Sequence, residues 1–245
     1  NIGGFGIGTQ QIELAVKKMF PTAKVLRMDA DTTSKKGSHD RILSAFANHE
    51  ADILVGTQMI VKGHDFPNVT LVGVLAADMS LYASDYRAAE RTFQLLCQAA
   101  GRAGRGVSLG DVTYSPDNYS IKAASHQDYE EFYQEEIAYR KLMSYPPVAN
   151  MISVFLQGKD QKELNIATEY ITEIIKKKRD EHYNKLMIIG PAKPPVSKVN
   201  DVHRRIIYLK GITRKELIDL KDSLEDVINC SQNFKNVNVQ FDFKV

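Results

Sequence analysis

Three short apolar runs constrain the first half of this chain more than anything else in it. They are KVLRM at 24–28, ADILVG at 51–56 and VTLVGVLAA at 69–77. Segments of helical period surround them. Residues 10–20 carry apolar side chains at 12, 14, 16, 19 and 20 and meet Pro21. Residues 39–48 bring Ile42, Leu43 and Phe46 to one side, and 87–100 read as a further helix before a strand at DVTY, 111–114. Apolar strands that alternate with helices imply a parallel sheet covered on both faces, an α/β arrangement. The loops after the strands, MDADTT, TQMIVKGHDF and DMSLYASDYR, are the polar and chemically loaded stretches. Loops beyond strand C-termini are where such sheets gather ligands.

The pattern then changes. Residues 129–143 read as a helix that Pro146 and Pro147 stop. A strand follows at 150–157, a long helix at 163–183, strands at 185–190 and 204–210, a helix at 215–228 and a last alternating strand at 236–243. The order β-α-β-β-α-β is that of the ferredoxin-like, split-βαβ arrangement. The expected organisation is therefore an α/β lobe over 1–115, a helical connector over 116–148 and a smaller α+β domain over 149–245.

Charge is divided unevenly between these parts. Residues 1–148 hold 15 basic and 17 acidic residues, a net of −2, and residues 149–245 hold 17 and 13, a net of +4. The basic surplus hints at an anionic partner for the second half. No apolar run approaches the roughly 18 residues that span a bilayer. The amino terminus shows no basic and then apolar signal segment. Cys97 and Cys230 stand alone, without CxxC, and the six histidines show no HxxH or HxxxH pairing. A cytoplasmic protein without a membrane partner, and with no metal of its own, is expected.

The stretch QAAGRAGRG, residues 98–106, sets Arg102 and Arg105 three apart among glycines and alanines. Arginine offers planar, permanently charged donors that suit phosphate oxygens, and two at this spacing can converge on one anion. The plainer alternative is a basic helix end whose arginines stabilise the C-terminal dipole.

The surrounding residues carry a resemblance. Gln98, Gly101, Arg102, Gly104 and Arg105 spell QxxGRxGR, which resembles motif VI of superfamily 2 helicases. GTQMIVKGHDF, 56–66, resembles their motif V, and RMDADTT, 27–33, sits where motif IV falls. The strings ILVGTQMIVKGHDFPNVTLVGVLAADMSL, DYRAAERTFQLLCQAAGRAGR and IIGPAKPPVSKV are more specific. They resemble the PriA family of bacterial replication-restart DNA helicases, from about Gly8 to Val245. The resemblance implies the second RecA-like helicase lobe followed by an S10-like domain. It implies an ATP-dependent enzyme of 3′→5′ polarity that acts at stalled forks. Forked and single-stranded DNA, single-stranded DNA-binding protein and other primosome proteins would be its partners.

The same resemblance gives residues their roles. Arg102 and Arg105 would face the γ-phosphate of ATP, with Gln98, Gly101, Gly63 and Asp65 beside the nucleotide. Thr57, Gln58, Lys62 and His64 would meet DNA. Other readings stay beside these: a surface turn capped by Asp65, and a helix-capping hydroxyl at Thr57. In the basic second half Lys193, Lys198, Arg204 and Arg205 surround a Pro-rich loop that could track a phosphate backbone or bind an acidic partner tail, and Lys198, Arg204 and Arg205 are candidate DNA contacts against a merely solvated surface.

Departures from the family pattern are equally informative. There is no G-x-x-x-x-G-K-[ST], the loop and lysine that hold nucleotide phosphates, and GGFGIGT at 3–9 lacks the lysine. No acidic motif II follows a buried strand. Asp180-Glu181-His182 imitates DEAH at the end of a lysine-rich helix and reads as surface. ATP and Mg²⁺ would be held mainly by a first lobe, and the family's zinc cysteines would lie just before Gly3. The chain thus reads as a fragment, inactive alone as an ATPase. The rival classes are a non-catalytic nucleic-acid adaptor and a different superfamily 2 translocase. Asp29 and Asp31 read as capping or structural, Tyr82, Tyr86 and Phe93 as core, and Lys176 to Arg179 as a solvated helix side.

Overall fold

The computed structural model describes residues 8–58, 60, 66, 68–83, 85–101, 108–112 and 115–244. They divide into two compact units. One runs to Ala83 and continues over Arg87–Phe132, and the other holds Asp85 and Tyr86 with the residues from Tyr133 onward.

The first unit contains α1 (Thr9–Met19), β1 (Val25–Met28), α2 (Ser38–Ala47), β2 (Ile53–Gly56), β3 (Leu71–Leu75), a 3₁₀ turn (Ala77–Tyr82), α3 (Ala88–Gly101), β4 (Ser108–Val112) and α4 (Tyr119–Ser125). Its strands are parallel. β1 pairs with β2 so that Met28 lies opposite Gly56, and β3 pairs with β4 from Leu71 and Ser108 to Leu75 and Val112. Among the described residues these are two separate two-stranded ladders. Met28, Leu43 and Phe66 form one buried cluster, with Phe46 edge-on to Phe66 at 5.2 Å between ring centroids. Phe93, Leu96, Ile121, Ala124 and Phe132 form another, where Phe93 stacks on Phe132 at 4.3 Å.

Three sequence expectations shift here. The long run at 69–77 narrows to β3, because Ala76 turns left-handed at φ 53° and opens the 3₁₀ turn. The strand expected at 111–114 is β4, three residues earlier at its start, since its position is set by pairing with β3 and not by its own apolar content. Tyr82 is not core: it is exposed and its hydroxyl lies 3.3 Å from Ser115 Oγ. Phe93 is core, at 5% exposure.

The helix α5 (Tyr129–Met143) contains the division between units, with Phe132 in the first and Tyr133 in the second. The second unit follows with β5 (Met151–Gly158), α6 (Gln161–His182), β6 (Met187–Ala192), β7 (Lys198–Val199), β8 (Val202–Lys210), α7 (Arg214–Cys230), a 3₁₀ turn (Gln232–Phe234) and β9 (Val237–Lys244). The strands form one five-stranded sheet in the order β6-β8-β5-β9, with β7 paired to β8, and every pairing is antiparallel. Asn200 and Asp201, with φ of 47° and 61°, make the tight β7–β8 hairpin. Two consecutive left-handed residues are what a hairpin twisted to match its strands requires.

Local signals explain both helices. Asp160 caps α6 by accepting from the backbone N–H groups of Lys162 and Glu163, at 2.7 and 3.0 Å. Thr213 and Glu216 form a reciprocal capping box at the start of α7. Leu164, Ala167, Ile171 and Ile175 of α6, and Leu217, Leu220 and Leu224 of α7, are wholly buried against Ile152, Val154, Leu156, Ile207 and Leu209 of the sheet. Burying each large aliphatic contributes roughly 1.5–3 kcal/mol. On α6 Lys176 and Lys177 are exposed and Lys178 and Arg179 half-buried, and Lys176 and Arg179 pair with Glu173 and Asp180.

Candidate functional site

The parallel register brings two loaded loops to one edge. Met28 ends β1 opposite Gly56 at the end of β2, so Asp29 and Thr57 open the following loops from adjacent strands. Gly56 makes this approach possible. A Cβ there would overlap the carbonyl oxygen of Met28 and come within 2.5 Å of Cδ1 of Ile60. Thr57 and Gln58 are exposed just beyond it.

Asp29 is buried and organises its loop. Its carboxylate accepts from the Thr9 hydroxyl at the start of α1 and from the Thr32 backbone N–H at 2.9 Å. Arg27 Nε lies 3.1 Å away, and Arg27 Nη1 is 3.5 Å from Glu13 of α1. The Thr32 and Thr33 hydroxyls donate back to the Asp29 carbonyl, at 3.1 and 2.6 Å. The Thr9 hydrogen bond first, then that from Thr32, hold the Asp29 carboxyl below its usual range. Asp31 contributes its carbonyl to Ser34 Oγ at 3.0 Å.

Within the same unit α3 leads into the arginine stretch. Phe93, Leu96 and Ala99 anchor the helix, and the Thr92 hydroxyl is tied to the Ala88 carbonyl at 2.9 Å. Gln98 is exposed in the last turn, and Gly101, the last helical residue, is exposed with open space around it. Arg102 and Arg105 lie outside the described residues, as do Lys62, Gly63, His64 and Asp65.

The three basic candidates of the second unit do not converge. Lys198 pairs with Asp201 at 2.8 Å across its own hairpin. Arg205 lies opposite Leu156 on the helix-covered face and donates from Nη2 to Asn165 Oδ1 of α6 at 2.9 Å. Arg204 lies opposite Gln157 on the other face, its guanidinium 5.8 Å from the centroid of Phe155. Adjacent strand residues must point to opposite faces. Phe155 and Gln157 carried no sequence-based expectation, although their alternation with the buried Val154 and Leu156 is legible in NMISVFLQ. Asp180, Glu181 and His182 end α6, where Asp180 pairs with Arg179 at 2.8 Å.

Among the described residues no group of three or more His, Cys, Asp or Glu is placed to hold a metal ion. Among them, too, no helix is long and apolar enough to cross a membrane.

Residues 6–107 match the helicase conserved C-terminal domain. Over 241 residues, 97% of its length, the chain is 47% identical to the replication restart protein PriA of Bacillus subtilis. The chain belongs to the PriA family. PriA of Chlamydia trachomatis is 44% identical over 76% of the chain, and PriA of Synechocystis 38% over 84%. The chain spans 30% of the length of the Bacillus PriA and 25% of each of the other two. The matched domain covers the β1–β2 pair and β3 and ends just before β4, and so includes the Asp29 loop, Thr57 and the end of α3. The PriA resemblance continues through the antiparallel unit, which that domain does not reach.

Proposed function

We propose that the chain is the second helicase lobe and C-terminal domain of an ATP-dependent DNA helicase that restarts stalled replication forks with 3′→5′ polarity. The observation that carries this is 47% identity to a replication restart protein over nearly the whole chain. The parallel unit corresponds to a RecA-like lobe within 1–115, residues 116–148 to a connector, and 149–245 to an S10-like, ferredoxin-like domain. The order of the second unit supports that last assignment: it is β-α-β-β-α-β once the two-residue β7, a hairpin extension paired to β8, is set aside.

In this reading Arg102 and Arg105 stabilise negative charge on the γ-phosphate as the terminal bond breaks, with Gln98, Gly101, Gly63 and Asp65 close to the nucleotide. ATP and Mg²⁺ are held mainly by a P-loop lobe, and the metal neutralises the phosphate oxygens there. Thr57, Gln58, Lys62 and His64 contact DNA on a segment leaving β2, so strand and nucleotide are linked through one short stretch. The work of this chain is to supply charge and to move. Forked and single-stranded DNA, a single-stranded DNA-binding protein and primosome proteins are its partners, in the cytoplasm. Zinc belongs to a segment other than this one.

Arginine substitution tests the reading. In the full-length protein Arg105→Ala, and similarly Arg102→Ala, should lower ATP turnover by on the order of 10³ or more, the scale of an arginine finger. DNA affinity should stay within a few-fold. Near-normal ATPase in either variant assigns that arginine to the helix end and removes it from the catalytic machinery.

A further inference from the structure

α6 and α7 cover one face of the antiparallel sheet, and the opposite face is covered only in part. Around Lys210 it is closed by Met143 and Tyr145: the Lys210 ammonium reaches the Met143 carbonyl at 2.5 Å, and Tyr86 stacks on Tyr145 at 5.4 Å. Towards the other end the face is open. Two rows cross it there, Ile206–Phe155–Gln240 and Arg204–Gln157–Asn238, as the strand registers place them. Asn238 and Gln240 are exposed, and Phe155, Gln157, Arg204 and Ile206 are half-buried. Ile189 of β6 adds an apolar side chain at 42% exposure.

The polar groups of these rows are unusually idle. Nε of Arg204 is buried and has no hydrogen-bond partner. Among the described residues Gln157, Asn238 and Gln240 make no side-chain hydrogen bond. A buried donor without an acceptor carries a cost that a bound acceptor removes. Nearby charges are otherwise matched: Lys198 pairs with Asp201 and Lys244 with Asp242, which leaves Arg204 as the uncompensated cation of the open rows.

A half-buried ring, a planar guanidinium over it and three amides in a flat array suit a planar heterocycle with both donors and acceptors on its edge. A nucleobase is such a group, and aromatic side chains on open sheets stack unpaired bases. Duplex DNA cannot use the surface, because its base faces are already stacked. An apolar protein partner would leave the Arg204–Gln157–Asn238 row unmatched. We propose that this open face is a stacking platform for unpaired bases of single-stranded DNA, with Phe155 and Arg204 as the stack and Gln157, Asn238 and Gln240 on the base edges. The proposal rests on the reading of the chain as a DNA-handling protein, and it differs from a phosphate track along Lys198 and Arg205 in that the base supplies most of the affinity.

The 245-residue chain, titrated into a fluorescent oligothymidylate of about 12 nucleotides, tests this. The single strand should bind more tightly than a duplex of equal length. Phe155→Leu keeps the apolar volume and removes the ring, and should weaken binding about tenfold, within the range for losing one stacked base. Its salt dependence should stay that of wild type, because stacking releases no counterions. Phe155→Trp should bind at least as tightly as wild type, and melting temperatures confirm that the variants are folded. Equal affinity for duplex and single strand, wild-type affinity of Phe155→Leu, or loss of binding in both ring variants would each overturn the platform. None of these outcomes bears on the Arg102 and Arg105 test, which reads ATP turnover in the full-length protein, so the two readings fail separately.

Discussion

The ammonium of Lys210 donates to the main-chain carbonyl of Met143 at 2.5 Å and sits 4.0 Å from the ring centroid of Tyr145. This lysine ends β8 and is 3% exposed. Burial lowers its pKa. It fastens the last residue of α5 to the sheet, at the negative end of the helix dipole, where a cation is favoured.

Replacing Lys210 should therefore weaken the second unit. Lys210→Met keeps the length of the stem and leaves the Met143 carbonyl without its donor. A loss of about 1–3 kcal/mol is expected, the range for removing a buried hydrogen bond to a charged group. Urea unfolding followed by circular dichroism measures it. A midpoint equal to wild type would show that the stem alone, packed on Tyr145, holds the contact.

Gly56→Ala should damage the first unit out of proportion to one methyl group. The added Cβ meets backbone at Met28, which cannot rotate away, as well as Ile60. Overpacking of this kind costs typically about 1–3 kcal/mol. The β1–β2 ladder would have to open where Asp29 and Thr57 begin, so hydrogen exchange at the amides of β1 and β2 should quicken relative to that in β5. Unchanged exchange in β1 and β2 would refute the steric account.

Asp29→Asn should show a pH-dependent deficit. The native carboxyl titrates below its ordinary value of 3.8, chiefly through the Thr9 hydroxyl and then the Thr32 N–H. A group with a depressed native pKa stabilises the fold above its unfolded pKa, and loses that contribution as pH falls through the native one. The asparagine variant should thus unfold at lower urea than wild type at pH 7, and the gap should close between pH 4 and strongly acid conditions. A gap constant across that range would mean that Asp29 acts through shape and not charge.

Several elements could be read from sequence because their causes are local. The helix at 129–143 is α5 to the residue, and the two long helices expected at 163–183 and 215–228 run over Gln161–His182 and Arg214–Cys230, one or two residues earlier at their starts, behind Asp160 and Thr213, whose side chains cap backbone N–H groups within three residues. Thr57, Gln58 and Gln98 could be singled out as candidates from motifs, since the order of residues along the chain is all a motif needs. The placement of β4 could not. Its residues SLGDV have little strand character of their own, and only the ladder with β3 makes them one.

The sequence by itself determined the alternation of helix and strand, the change of pattern near Pro146, and that Arg204 and Arg205 face opposite ways, because each follows from periodicity over a few residues. Tertiary structure decided which of those arginines is engaged by a helix and which lies on an open sheet face. It decided that Lys210, one more basic residue at a strand end, is buried. It also decided that Phe155 and Gln157 stand beside Arg204. Strand order and register join residues almost 50 positions apart. The free energy that selects them comes from packing α6 and α7 on one face only, which no local pattern encodes.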